Sequence, residues 1–465
     1  MTTQRARRER MVVALLAASG MLTSLQFTSM VPILPVIPEL LDTNAADASW
    51  LITITLLVGV VATPVTTRLA DMYGRRRLLL ISMALLAAGS VIGAMSSSFP
   101  GVLVGRALQG FGTSVVPIGI ALLTSLVSRE RATMGIALMS GTLGIGSAAG
   151  LTVSGPLVEW GGLPAVFWTT AVVSIVFCVL SLLWIDEVPQ RSAQRFDYVG
   201  AVLLSIALTA LLLCISRGQI WGWLSPVSLL LMGTALVSAI CWARWGLRHP
   251  HPVIDVRTAM RAPIAPINIA SFFATFGMYA NHLLTMQEAL APETTGFGLG
   301  STVAAAGLFV LPSAVTMILL APIAARTISR LGARFALLFG AGIMTGAYIF
   351  RTFVHADVWS VVTGSALVGC SIAFAFAAMP SLITISVARD QVAVANGINS
   401  VVRSLSGAVA AALFAFLIAT LPAASDAAFL SHTALTIAFG FCALSGAVTM
   451  IIALILRLPD RKDPS

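Results

Sequence analysis

Few residues here could do chemistry, and most of those are arginines set in apolar surroundings. Arg106 lies in Leu103-Val-Gly-Arg106-Ala-Leu-Gln109-Gly110-Phe-Gly112, and Arg403 in Asn396-Gly397-Ile-Asn399-Ser-Val-Val-Arg403. A cation in hydrocarbon is costly, so such a residue normally faces a cavity or a partner and is a functional candidate by default. Glu39, His282 and Glu288 are groups near apolar runs that can change charge. With Arg106 and Arg403 they are the candidates for holding charge or passing a proton within lipid. Plainer readings stand beside this one: a solvated helix end for Glu39, and a hydrogen-bonded packing role for His282. A second set is expected to line a substrate cavity: Gln26, Thr28, Ser29, Gln109, Phe272, Phe276, Tyr279, Asn281 and Asn399. Aromatic walls with a few polar groups suit a promiscuous small-molecule site. Paired carboxylates, Cys/His clusters and phosphate-binding loops are missing from the sequence. No enzymatic activity, metal or cofactor is therefore expected.

The elements that position these residues follow from composition. The chain has 465 residues, 58% hydrophobic and only 10% charged. Soluble proteins carry about 25% charged residues, so lipid must be the solvent. Every backbone amide then needs an internal partner, and runs of about 20 apolar residues without alternation select helices over a barrel. Fourteen such segments are read at 11–38, 49–67, 78–97, 100–127, 132–158, 163–185, 198–216, 222–245, 263–286, 302–325, 335–354, 358–388, 392–420 and 433–456. The five cysteines lie inside these runs with no metal or redox spacing.

The charge of +9 could suggest nucleic acid, but the basic residues sit in short connections. With the N-terminus in the cytoplasm, fourteen spans put 23 of the 27 basic residues inside and only Arg217 and Arg351 outside. That is the positive-inside pattern, with both termini cytoplasmic. There is also an internal repeat. Arg68-Leu-Ala-Asp71-Met-Tyr-Gly74-Arg75-Arg76 follows the second span, and Arg326-Thr-Ile-Ser-Arg-Leu-Gly332-Ala-Arg334 follows the tenth, 258 residues later. Repeated halves are a mark of secondary transporters. The expected organisation is a cytoplasmic N-terminus (1–10), a six-helix bundle (11–190), two additional helices (191–250), a second six-helix bundle (251–458) and a cytoplasmic tail (459–465).

Thr67-Arg-Leu-Ala-Asp71-Met-Tyr-Gly74-Arg75-Arg76 resembles the signature loop of the major facilitator superfamily, with Thr67 where a glycine usually stands. The Arg106–Gln109-Gly110 segment resembles a second motif of that superfamily. The fifth-span series Gly146, Gly150, Ser154, Gly155, Pro156 resembles its exporter-associated motif, with Leu151 replacing the usual proline; the same spacing also serves ordinary close helix packing. Topology and motifs together are similar to the fourteen-helix drug:proton antiporters. In the first span Gln26 stands where those antiporters carry an acid.

The resemblance implies an all-α major-facilitator fold and alternating access. It implies a conformational latch formed by Arg68, Asp71, Gly74, Arg75 and Arg76 with Arg326, Gly332 and Arg334. Arg106 would take part in proton transfer. The expected function is proton-coupled efflux of drug-like or amphipathic small molecules, by a monomer in a bacterial cell membrane. Export of a lipid, siderophore or endogenous metabolite, and a non-transporting sensor or scaffold, are the alternatives.

Overall fold

A computed structural model describes residues 3–31, 33–187, 196–250, 252–254, 256–260, 263–354, 357–388, 391–424 and 429–456. It is all-helical. Among the described residues, twelve helices are long and apolar enough to cross a membrane. Two features bear on the expected fourteen. The segments read at 132–158 and 163–185 form one run, Arg129–Trp184, of 56 residues. Its backbone leaves the helical region at Gly161 and Gly162, where φ reaches +66°. At 1.5 Å per residue the run would extend about 84 Å, well beyond a hydrocarbon core of roughly 30 Å. The Ile264–Leu290 helix, 27 residues long, is not among the twelve. Asn268, Asn281, His282, Gln287 and Glu288 dilute its apolar character.

The helices also run further than the apolar segments did. The second span ends at 67 by hydropathy, but the helix is Trp50–Tyr73. Arg68 and Asp71, read as loop residues, therefore sit in its last turns. Arg326 likewise falls inside the Leu311–Leu331 helix. The turns themselves are single glycines: Gly74 (φ +113°) joins Trp50–Tyr73 to Arg75–Met95, and Gly332 (φ +90°) joins Leu311–Leu331 to Ala333–Phe353. Only glycine takes this backbone without strain, and the two turns lie 258 residues apart, as the repeat requires.

Arg217 and Arg351, assigned to outer loops from sequence, lie instead within the helices Tyr198–Trp221 and Ala333–Phe353 and are buried. Each is held by an aromatic ring and a polar partner. Arg217 stacks 4.0 Å from the Trp50 ring centroid and donates to Ser49 Oγ at 2.8 Å. Arg351 lies 4.8 Å from the Phe439 ring and pairs with Glu288. Hydropathy could not show this, because it scores a charge without its partner.

The glycine ridge of the Arg129–Trp184 run packs on the Thr3–Thr28 helix. A methyl group at Gly150 would lie 2.6 Å from the Leu25 carbonyl oxygen and 2.9 Å from Ser29 N. Gly146 approaches the Met21 backbone as closely. Thr28 Oγ1 donates across the contact to Ser147 O at 2.9 Å. Ser154 is buried, whereas Gly155 has open space around it, and Pro156 lies within the run.

Candidate functional site: a central cavity and two buried arginine networks

A cavity of about 150 Å³ lies between helices of the bundle. Helices from both ends of the sequence enclose it. Phe27 and Thr28 come from Thr3–Thr28, and Ser147 from the Arg129–Trp184 run. Tyr279, His282 and Arg403 come from helices after residue 264. Its spacing on each helix is that of one face: Thr275, Met278, Tyr279 and His282 follow at i, i+3, i+4 and i+7, as do Ser400, Arg403 and Ser404 at i, i+3 and i+4. Of the residues expected to line a cavity, Thr28 and Tyr279 do so. His282 and Arg403, expected as coupling groups, line it as well. The other lining positions were not singled out from sequence. Phe27, Met317 and Phe376 read there as ordinary apolar residues, and only the helical period shared with Tyr279 or Arg403 could have pointed to their neighbours.

The remaining cavity candidates belong to buried hydrogen-bond networks. Arg106, fully buried, donates from Nε to Leu51 O at 3.0 Å. Its Nη1 reaches Gln26 O at 2.9 Å, Gln26 Oε1 at 3.1 Å and Gln109 Oε1 at 2.6 Å. Gln109 Nε2 passes the chain on to Ser90 Oγ at 2.8 Å. Ser29 Oγ donates to Gln26 O at 3.1 Å. Every acceptor is neutral, and Arg106 Nη2 and Gln26 Nε2 have no hydrogen-bond partner. Gln26 thus occupies the place where a carboxylate would neutralise Arg106.

In the second network Arg351 Nη2 pairs with Glu288 and Nη1 donates to Asn281 Oδ1 at 2.7 Å. Asn281 Nδ2 lies 3.4 Å from Ser365 Oγ. Both ion-pair partners are buried. Asn399 ties two helices by donating to Asn268 Oδ1 at 3.0 Å and Ser271 Oγ at 2.6 Å. Phe276 packs 6.0 Å from Phe414, and the Phe272 carbonyl accepts from Ser406. Glu39 stands apart, exposed in the short Ile37–Leu40 helix.

The signature residues gather at one end of the bundle. Arg75 Nε donates to Asp71 Oδ1 at 3.0 Å, while Nη1 reaches Ala121 O at 3.2 Å and Ser125 Oγ at 2.8 Å. The other Asp71 oxygen closes no hydrogen bond, and the carboxylate lies beside the backbone of Val394, at the start of the Val392–Thr420 helix. A carboxylate beside a helix N-terminus is favoured by the exposed amides there. Nearby, a methyl at Gly397 would lie 2.6 Å from Thr67 Oγ1, and Ala121 packs with Val392 and Ala393. Arg68 is half-buried and adds positive charge beside Asp71. Arg326 is exposed. Position 329, which answers Asp71 in the repeat, is serine, and position 333, which answers Arg75, is alanine. The charged pair exists in one repeat only.

A helical bundle with internally repeated turns, a cavity between its helices and buried charges has the make-up of a multi-pass membrane protein. The Major Facilitator Superfamily model matches residues 16–411, and the chain belongs to that superfamily, a family of transporters and not of enzymes. It is 27% identical over 359 residues to Multidrug resistance protein Stp of Mycobacterium tuberculosis, covering 76% of this chain and 65% of Stp's length. It is 24% identical over 413 residues to the Tetracenomycin C resistance and export protein of Streptomyces glaucescens, covering 87% of this chain and 75% of that protein. An uncharacterised transporter of Bacillus subtilis, YcnB, is 23% identical over 97% of this chain and 95% of its own length. The fold matches the crystal structure of the human organic anion transporter MFSD10 with a TM-score of 0.67 at 17% identity, over 95% of this chain and 99% of that one.

Proposed function

We propose that this protein is a proton-coupled exporter of amphipathic small molecules, working by alternating access across the plasma membrane of a bacterium. The observation that carries the reading is the cavity itself. It lies between helices from the two ends of the sequence, mixes aromatic walls with a few polar groups, and borders the Arg106 network through Phe27, the neighbour of Gln26. At about 150 Å³ it is smaller than the roughly 300–1,000 Å³ of small-molecule sites, so a drug-sized substrate requires the surrounding helices to move apart. The relatives named for multidrug resistance and for tetracenomycin export support efflux as the direction.

Fourteen crossings belong to this reading. Counting the Arg129–Trp184 run separately on either side of Gly161–Gly162 and adding Ile264–Leu290 to the twelve gives that number. It places both termini, and the Asp71–Arg75 turn, in the cytoplasm, with six-helix bundles over 11–190 and 251–458 and two further helices over 191–250. The close contacts of Asp71, Thr67 and Ala121 with the start of Val392–Thr420 act as the latch, closed in this structure and open in the other state. Gln26 supplies no charge, so the proton passes through other groups: His282 on the cavity wall, or Glu288 when it leaves Arg351.

The test is accumulation of a fluorescent amphiphile in everted membrane vesicles. Imposing an inward-acid gradient drives uptake, and a protonophore abolishes it. Uptake that persists after the gradient is collapsed contradicts proton coupling.

A further inference from the structure

The cavity has a sign. Its lining includes one fixed cation, Arg403, and one histidine, His282, but no aspartate or glutamate. Arg403 lies with its guanidinium carbon 3.9 Å from the centroid of the Phe376 ring. Among the described residues it makes no ion pair, and no carboxylate stands beside it. The nearby charges do not change the sign. Arg106 is buried among neutral acceptors. Glu288, the buried acid of the Ile264–Leu290 helix, is already neutralised by Arg351. A half-buried guanidinium on the cavity wall, with the Phe376 ring face and the neutral Tyr279 side chain beside it, gains most from an anion that completes its hydrogen bonds. A cation brought to the same place would be desolvated beside a like charge.

We propose that the preferred substrate class is an organic monoanion, a carboxylate or sulfonate on an aromatic or aliphatic body, with Arg403 as its charge-recognising residue. This rests on the transporter reading and adds the substrate's charge to it. The acid group meets the guanidinium on the face away from Phe376. The apolar body lies against Phe27, Met278, Tyr279 and Met317, and Ser400 and Ser404, on the same helical face as Arg403, offer further hydrogen bonds. Gln26, which meets Arg106 through a neutral amide, adds no negative charge near the cavity.

The experiment uses the full-length protein in proteoliposomes and three ligands sharing one body: 1-naphthoate, its methyl ester and 1-naphthylmethylamine. Equilibrium binding and transport are measured for the wild type, Arg403→Gln and Arg403→Lys. One charge-assisted contact should make the naphthoate bind about tenfold more tightly than the ester. Arg403→Gln should remove that difference, and Arg403→Lys should keep part of it. If Arg403→Gln does not fold, the three-ligand order in the wild type and the Lys variant still decides. Amine binding and transport without the naphthoate overturns the proposal while leaving the transporter reading intact. An unchanged naphthoate preference in Arg403→Gln also overturns it. Failure of all three ligands overturns the transporter reading together with the proposal.

Discussion

Arg76 and Arg334 do the same work 258 residues apart. Arg76 Nη2 donates to the Leu182 carbonyl at 2.5 Å, in the last turn of the Arg129–Trp184 run. Arg334 donates from Nε to Ala453 O at 2.8 Å and from Nη2 to Leu454 O, in the last turn of His432–Ile455. Each follows a positive-φ glycine by two residues. Each satisfies carbonyls that have no partner within their own helix and places a positive charge at the negative end of its dipole. Arg76→Gln and Arg334→Gln should each cost roughly 0.5–1 kcal/mol. Because the two sites are far apart in the fold, the double variant should show the sum. Thermal melting in detergent checks both statements.

Asp71→Asn tests the latch. It leaves the buried Arg75 without its counter-charge, and removing one partner of a buried pair costs about 3 kcal/mol or more. The variant should be less stable and should transport poorly. Adding Arg75→Gln should recover stability but not transport, because the interaction with the start of the Val392–Thr420 helix is still lost. Melting and vesicle uptake measured on the same three proteins separate the two effects.

The glycine ridge makes a sharper steric prediction. Gly150→Ala puts a methyl within 2.6 Å of the Leu25 carbonyl oxygen, which should cost about 1–3 kcal/mol as the helices separate. Gly155→Ala, with nothing within 4 Å, should be neutral or slightly stabilising. Comparing the melting temperatures of the two variants decides it.

Much of this was legible in the sequence, for a physical reason. Charge is so costly in lipid that composition and periodicity give the class, and Gly74 and Gly332 mark turns only glycine forms easily. Partnership was not legible. Arg217 and Arg351 read as loop cations because their partners, Ser49 with Trp50 and Glu288 with Asn281, are distant in sequence. Gln26 was read as a cavity residue, but its carbonyls face Arg106. Most of the cavity wall was not found, since Ser147, Met317 and Phe376 reveal themselves by sharing the cavity with Arg403 and Tyr279 and not by their type.

Replacing the Glu288–Arg351 pair separates structure from coupling. If the pair with Arg351 is purely structural, replacing both residues together, Glu288→Leu with Arg351→Met, should be nearly neutral in stability and leave pH-dependent uptake unchanged. If Glu288 carries the proton, the double variant should melt like the wild type yet lose the pH dependence. Uptake measured between pH 5.5 and 8 on the double variant distinguishes the two.

The most direct test of the central claim is proton movement triggered by substrate. Purified protein in liposomes containing a pH-sensitive dye is challenged with an amphipathic ligand that it binds. Coupled antiport predicts a prompt pH change that scales with ligand and disappears in His282→Gln or in the Glu288→Leu/Arg351→Met variant, according to which group carries the proton. A ligand that crosses the membrane with no accompanying pH change, or a pH change that survives in full in both variants, would contradict the account.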